Sequence, residues 1–347
     1  MAPYERPHLS KGFLLGTVAE DEMALRPPAQ YGELDVDLVL GEPVADLGLE
    51  HRAVELASGR RIGWDLLCVA TGSSARRLPD LPHAMYLREL GDARALDSVL
   101  KPGGALEVVG AGFIGCEVAA AAVARGCAVR VFEMLDQPLL RVLGAELGAY
   151  LAAVHREHGV ELQLGVQALP RLKVPVLVGA GSIPNTALAE RAGLATDRGV
   201  LVDASGRTSA PGVFAAGDVT RFESLRYLRP VRVEHFQAAQ RQGFAVGRAM
   251  AGAAEPYDEV PWFWSDQHGL NIQYAGAGLP WDEIAVRGVL GRPPFTVFYL
   301  AGGEPVAAAG VDDHHTVARS RRLMEKRAAV TRAQLEDPSF DLRRALL

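Results

Sequence analysis

The chain has 347 residues, 49% of them hydrophobic and 22% charged, with 36 Lys and Arg against 42 Asp and Glu for a net charge of -6. That is enough apolar chain for two or three domains with cores of their own, which excludes a disordered protein, and the mild acidity excludes the basic footprint of a nucleic-acid binder. No apolar run is long enough to span a membrane and no charged-then-apolar leader opens the chain, so the expected location is the cytoplasm.

In chain order, MAPYERPHLSKGFLLG reads as a loop, because Pro3 and Pro7 remove backbone donors and force extended geometry on their predecessors, with a helix expected near Ser10. DVDLVLG, DLLCVATG, ALEVVGAG, CAVRVFE, VPVLVGAG and GVFAAGD each read as a short apolar strand closed by a polar or glycine turn. Helical runs alternate with them, which predicts an α/β fold with a parallel sheet and ligands at the carboxyl ends of its strands. From Tyr257 the chain turns aromatic, then gives strands in FTVFYL and PVAAAGV and a helix in TVARSRRLMEKRAAV. This predicts a separate α+β domain after a GAAEPYDE linker, with Arg319, Arg321, Arg322, Lys326 and Arg327 on a solvated helix face.

Cys68, Cys116 and Cys127 form no Cys-x-x-Cys pair and are odd in number, so neither a disulfide framework nor a zinc cage is indicated. His155 and His158 in HREHG read as a solvated helix end, and no third ligand accompanies them or His314 and His315. No metal is expected.

The most informative stretch is ALEVVGAGFIGCEVAAAAVARGCAVRVFE. A strand runs into Gly110, Gly112 and Gly115 of a Gly-x-Gly-x-x-Gly turn, an alanine-rich helix follows, and a second strand ends in Glu133. In that context the glycines give a tight turn, close approach of a pyrophosphate and close helix-strand packing, with the helix N-terminus facing the phosphates. Glu133 would accept hydrogen bonds from the adenosine ribose, and with no arginine in EMLDQ the site selects NADH over NADPH. Glu117 reads as lying in the first turn of the helix, where the dipole favours an acid whether or not it is catalytic. In GRTSAPGVFAAGDV, Gly217 and Asp218 end a strand before an expected helix, and Asp218 either holds a ligand hydroxyl or caps that helix.

Together these residues resemble the FAD-dependent NADH:ferredoxin reductases of the pyridine nucleotide-disulfide oxidoreductase superfamily. The resemblance runs over nearly the whole chain through PYERPHLSK, LLCVATG, VVGAGFIGCE, VGAGSIPNT, RTSAPGVFAAGDV, VRVEHFQAAQRQG, PWFWSDQ and LEDPSFDL. It implies two Rossmann-like domains, an FAD-binding one in residues 1–100 and 180–254 and an NADH-binding one in residues 101–179, followed by a C-terminal α+β interface domain in residues 255–347. It further implies Arg6, Pro7 and Lys11 beside the flavin, Ala70, Thr71 and Gly72 along the cofactor, and Asp218 on its ribityl chain. Glu117 would stand near the nicotinamide and pair with Lys11, these two being the catalytic candidates. Trp264 would lie by the flavin ring, and Glu234 and His235 would precede Phe236, which stands where the family has tryptophan. Cofactors FAD and NADH and a ferredoxin-type iron-sulfur partner follow from the same resemblance. The family's disulfide reductases use a Cys-x4-Cys beside the flavin, and its absence here argues against a disulfide substrate.

Two departures accompany the resemblance. The chain opens after the family's first βαβ unit, whose own glycine turn takes the FAD pyrophosphate, and it passes between LQLGVQALP and KVPVLVGAG in a few residues. The expectation is an N-terminally truncated reductase that binds FAD weakly or not at all, with strands LLCVATG and GVFAAGD left with open edges. The alternatives are a misplaced start, an inactive remnant, or an NADH-binding module without redox chemistry.

Overall fold

A computed structural model of the chain describes residues 2–253 and 255–346, so the domain limits set at Met1, Ala254 and Leu347 lie outside the described residues. After a 3-10 turn at Arg6–Ser10 and a one-turn helix at Gly12–Leu15, strand β1 spans Leu67–Val69 and β2 spans Ala105–Val109. Helix α1 (Phe113–Ala124), β3 (Ala128–Phe132), α2 (Leu140–Glu157), β4 (Val160–Gln163) and β5 (Val176–Val178) follow. Then come β6 (Val213–Ala215), α3 (Phe236–Met250), β7 (Trp262–Gln267), β8 (Leu270–Gly276), β9 (Glu283–Val289), β10 (Arg292–Ala301), β11 (Glu304–Val311) and α4 (His314–Lys326).

Five of the six expected parallel-type strands form. DVDLVLG does not: residues 35–41 carry no strand and are exposed apart from half-buried Leu38. Its alternating apolar residues find neither a partner ladder nor a face to bury, and strand identity requires both. The nearest ladder starts at Val44–Gly48.

The chain divides into two compact units. One comprises Met1–Glu5, Glu20–Ser74 and Ser182–Pro261, and the other Arg6–Ala19, Ala75–Gly181 and Trp262–Leu347. In the first, β1 and β6 pair in parallel as a two-stranded sheet, with Leu67, Cys68 and Val69 opposite Val213, Phe214 and Ala215. Phe214, Ala216, Val246 and Ala249 form the core beneath, with Cys68 packed against them, so this thiol fills space.

In the second unit, β4, β3, β2 and β5 lie in that order as a fully parallel sheet. Helix α1 buries Gly115 to Ala122 without a break, which its run of small side chains allows. Strands β7, β8, β11, β10 and β9 form an antiparallel sheet. Ala285, Phe298, Leu300, Ala308, Leu323, Leu335 and Leu342 make its core, each large side chain contributing about 1.5–3 kcal/mol by leaving water. Arg287 explains the terminal LEDPSFDL motif: its guanidinium donates to the carbonyls of Gln334, Leu335, Pro338 and Phe340 and pins the tail to β9. Arg322 and Lys326 of α4 and its C-cap residue Arg327 are exposed as expected, while Arg319 and Arg321 are half-buried.

Candidate functional site

The glycine turn forms where β2 ends. Gly110 has φ +98°, and a Cβ there would lie 2.7 Å from the Gly179 carbonyl oxygen. A Cβ on Gly115 would lie 2.0 Å from the Gly110 carbonyl oxygen, so both positions admit only hydrogen. Gly112 differs. It is the N-cap of α1, and a Cβ there would meet nothing closer than Gly179 oxygen at 3.7 Å, an ordinary contact. Packing within the protein does not demand glycine at 112, whereas a phosphate approaching the helix N-terminus does. Gly179 was legible only as a glycine of VGAG; its role is to let the turn seat against β5.

Glu133, 9% exposed, directly follows β3 beside this turn. One carboxylate oxygen accepts the Ala111 amide at 2.6 Å and the other the Leu135 amide at 2.9 Å. The acid expected to read a ribose therefore stands on the second residue of the glycine turn. These residues fit a dinucleotide with unphosphorylated ribose.

Glu117 lies one turn deeper than the sequence reading placed it. Helix α1 begins at Phe113, so Glu117 is its fifth residue and lies beyond the reach of the free first-turn amides. Side chains hold it instead. Lys11 Nζ is 2.8 Å from Oε1, the Ser265 hydroxyl donates to the same oxygen at 2.6 Å, and the Ser10 hydroxyl donates to Oε2. The carboxylate is 3% exposed. A buried ion pair is tolerable only when further hydrogen bonds complete it, and two serines do so. Lys11 Nζ also lies 5.9 Å from the Trp264 ring centroid, within cation-π range. Lys11, Glu117 and Trp264 are thus brought together, and Ser10 and Ser265 are partners that the sequence reading missed. Their only signal was position, one before Lys11 and one after Trp264.

Burial and the carboxylates of Glu117 and Glu133 push the neighbouring Cys116 thiol up. The three cysteines are free. Among the described residues, no group of three His, Cys, Asp or Glu is placed to hold a metal ion, and no helix is long and apolar enough to cross a membrane.

HREHG departs from its expectation. His155 is 1% exposed, because α2 turns it onto β7, where Nε2 meets Gln267 Oε1 at 3.0 Å and Nδ1 meets His268 Nε2 at 3.0 Å. Only His158 of the pair is exposed.

In the other unit, the register of β1 with β6 brings Ala70, Thr71 and Gly72 to the same carboxyl edge as Gly217 and Asp218. Asn185 clamps the first loop. Its side-chain amide donates to the Thr71 carbonyl at 2.8 Å, its carbonyl accepts the Thr71 hydroxyl at 2.8 Å, and its backbone amide donates to the Gly72 carbonyl at 2.9 Å. Gln242 clamps the second, its Oε1 accepting the Gly217 amide at 2.8 Å and the Thr220 hydroxyl at 3.1 Å. Both sit inside the motifs VGAGSIPNT and VRVEHFQAAQRQG, where nothing in the local pattern marks a clamp.

Asp218 is 9% exposed, in the 3-10 turn Gly217–Val219, with the Ser73 hydroxyl donating to it at 3.2 Å. A strand, Thr220–Ser224, follows that turn, so no helix is there to be capped and the capping alternative falls away. A buried carboxylate at the end of parallel strands fits the hydroxyl-bearing chain of a flavin cofactor. Glu234 is engaged by the Ser182 hydroxyl and Arg232. His235 is the N-cap residue of α3 and half-buried Phe236 its first residue. Burial lowers the His235 pKa to about 4, against the pull of Asp218. Arg6 is exposed, 4.0 Å from Glu89, and Pro7 is half-buried in the first 3-10 turn.

Known proteins resemble this chain over nearly its whole length. The family model for pyridine nucleotide-disulphide oxidoreductases matches residues 1–169 and 174–243, and that for the reductase C-terminal domain matches residues 262–346. The chain is 38% identical to the ferredoxin–NAD(+) reductase component of an anthranilate 1,2-dioxygenase system from Burkholderia cepacia, over 98% of this chain and 89% of that protein. It is 33% identical to rhodocoxin reductase of Rhodococcus erythropolis, over 99% of this chain and 86% of that protein. Its fold superposes with a TM-score of 0.96 on a chain of the covalent putidaredoxin reductase-putidaredoxin complex, at 32% identity, covering 100% of this chain and 89% of that one.

Proposed function

Because the chain belongs to the pyridine nucleotide-disulphide oxidoreductase family, we propose that it takes a hydride from NADH onto FAD and passes the two electrons singly to a ferredoxin-type iron-sulfur protein. The observation that carries this reading is the buried Lys11–Glu117 pair beside the glycine turn, completed by Ser10 and Ser265 and adjoined by Trp264. FAD, when bound, supplies the step from a two-electron donor to one-electron acceptors. This chain's own residues do the holding. Gly110, Gly112 and Gly115 admit the NADH pyrophosphate to the α1 N-terminus, and Glu133 takes the ribose hydroxyls and repels a ribose phosphate. Glu117, fixed by Lys11, orients the nicotinamide.

Asp218, with Ala70, Thr71, Gly72, Gly217, Glu234, His235 and Phe236, would hold the flavin cofactor, and the family resemblance implies a place beside its ring for Arg6, Pro7, Lys11 and Trp264. The division of labour is FAD binding in residues 1–100 and 180–254, NADH binding in residues 101–179 and partner contact in residues 255–347. An iron-sulfur partner is supported by the relatives, one of which belongs to a dioxygenase system as its ferredoxin–NAD(+) reductase component. A cytoplasmic setting suits an NADH-consuming chain with three free cysteines.

The test is a visible spectrum of the purified chain with FAD added, followed by anaerobic NADH and then a plant-type or dioxygenase ferredoxin. Bleaching of a protein-bound flavin band by NADH and its recovery on ferredoxin addition is the expected result. A chain that binds NADH without bleaching added FAD is the module without redox chemistry, and that outcome overturns the proposal.

A further inference from the structure

The fixing of Glu117 extends beyond its immediate partners. Its Oε1 lies 2.6 Å from the Ser265 hydroxyl oxygen, and a carboxylate oxygen brings no hydrogen of its own, so the serine hydrogen points at Glu117. Ser265 oxygen is 2.9 Å from Gln267 Nε2, so it accepts the amide hydrogen there. That turns Gln267 Oε1 to His155 Nε2 at 3.0 Å, which requires the hydrogen on Nε2. A neutral imidazole then has a bare Nδ1, and His268 Nε2 at 3.0 Å donates to it.

We propose that His155 and Gln267 are positioning residues for the nicotinamide site, acting through a one-way chain of donors from His268 to Glu117 that keeps the Ser265 hydroxyl turned onto the carboxylate. The inference rests on the reading of Glu117 given above. Every group needed is in one compact unit, on α1, α2, β7 and the turn after β7, and His155, Gln267, Ser265 and Glu117 are 1%, 1%, 0% and 3% exposed. The same heavy atoms admit one opposite arrangement. With the hydrogen on His155 Nδ1 instead, Nε2 would accept from a reversed Gln267 amide, whose oxygen would draw the Ser265 hydroxyl away from Glu117. One proton position on a histidine ring thus decides whether the carboxylate keeps its third donor. Burial lowers the His155 pKa, and burial with the neighbouring rings of His155 and His158 lowers that of His268 to about 3, which keeps both rings neutral at pH 7. His268 stacks on exposed His158 at 4.2 Å between ring centroids, so the far end of the chain reaches solvent.

The primary experiment reads the rings directly, by long-range proton-nitrogen correlation spectra of the full chain with 15N-labelled histidine at pH 7, assigned through loss of signals in His155→Gln. The expected result is a neutral His155 with a protonated Nε2 and a bare Nδ1; a protonated Nδ1 or an imidazolium overturns the proposal. The second readout is NADH affinity by calorimetry. Gln267→Glu accepts from His155 and cannot donate to Ser265, so it should weaken NADH binding about three- to tenfold, the range expected from losing part of one hydrogen bond to a charged group. His155→Leu should do the same, and His155→Gln, which keeps an amide donor, should recover most of the loss. Equal affinity in all variants overturns the positioning role. Wild-type chain that binds no NADH would instead sink the function proposed above, whereas a wrong tautomer sinks this inference with NADH binding intact.

Discussion

The two parallel sheets carry the turns at their carboxyl ends by different means. The four-stranded sheet of β4, β3, β2 and β5 supports the glycine turn through backbone close approach, with Gly110 and Gly115 packed against each other and against Gly179. The two-stranded pair of β1 and β6 is smaller, and the open edge expected of GVFAAGD is closed, because residues 206–208 lie antiparallel along β6 with Ala215 N donating to the Gly206 carbonyl at 2.9 Å and Thr208 N to the Val213 carbonyl at 3.0 Å; its turns are held by the side chains of Asn185 and Gln242. A turn defined by packing fails through an added atom, and one defined by side-chain clamps fails through a removed hydrogen bond. The carboxylates at the two turns have different neighbours: Glu117 pairs with Lys11, and Asp218 accepts from the Ser73 hydroxyl.

The largest effect should come from breaking the ion pair. Lys11→Met leaves Glu117 buried with only hydroxyl donors, at a cost of about 3–5 kcal/mol. Urea unfolding should show it as a lowered midpoint, and NADH affinity should fall with it. If Lys11→Met unfolds like the parent chain, the pair is not what holds Glu117.

Close approach should come next. Gly115→Ala sets a methyl into the Gly110 carbonyl and should cost about 3 kcal/mol, because the obstacle is backbone and cannot rotate away. Gly112→Ala sharpens the contrast: its methyl has room in the protein, so thermal stability should change by less than about 1 kcal/mol while NADH binding is lost. A Gly112→Ala chain that still binds NADH would show that the pyrophosphate does not lie over the α1 N-terminus.

How much of this was legible in the sequence follows the same division. The glycine turn and Glu133 were readable because their geometry is local, a strand, a turn and a helix within about thirty residues of chain. The pairing of Lys11 with Glu117 came from resemblance, since 106 positions separate them and no periodicity links them. Ser10 and Ser265 stayed hidden for that reason. His155 was misread because HREHG looks like any polar helix end, and only β7 packing on α2 makes its first histidine internal. DVDLVLG failed in the opposite sense, a correct strand pattern with no partner to pair with.

On the clamped side the effects should be smaller. Gln242→Leu leaves the Gly217 amide without its acceptor, a loss of about 1–3 kcal/mol, while the Thr220 hydroxyl keeps the Gly217 carbonyl at 2.8 Å. It should weaken FAD binding more than NADH binding, since Gly217 and Asp218 sit in the unit that does not contain the glycine turn. Flavin fluorescence quenching against NADH calorimetry on the same variant separates the two, and equal losses would mean that the turns are not independently supported. The same preparation answers a second question: FAD that stays bound in stoichiometric amount through purification would show that this small sheet and its two clamps suffice.

The smallest effect is a pH dependence that the clamped unit contributes through His235. Its pKa in the folded chain, about 4, lies below the ordinary histidine value of 6.5, so the folded state binds fewer protons than the unfolded state between those limits. Its contribution to stability is therefore complete above pH 6.5 and is lost as pH falls toward about 4, by no more than roughly 1 kcal/mol per pH unit for a half-buried ring. His155 and His268, also lowered, act in the same direction from the other unit. Urea midpoints at pH 7.5 and pH 5 should fall with acid, and His235→Gln should flatten part of that slope while leaving the share of the α2–β7 histidines in place. A slope unchanged by His235→Gln would assign the whole acid sensitivity to the unit that carries the glycine turn.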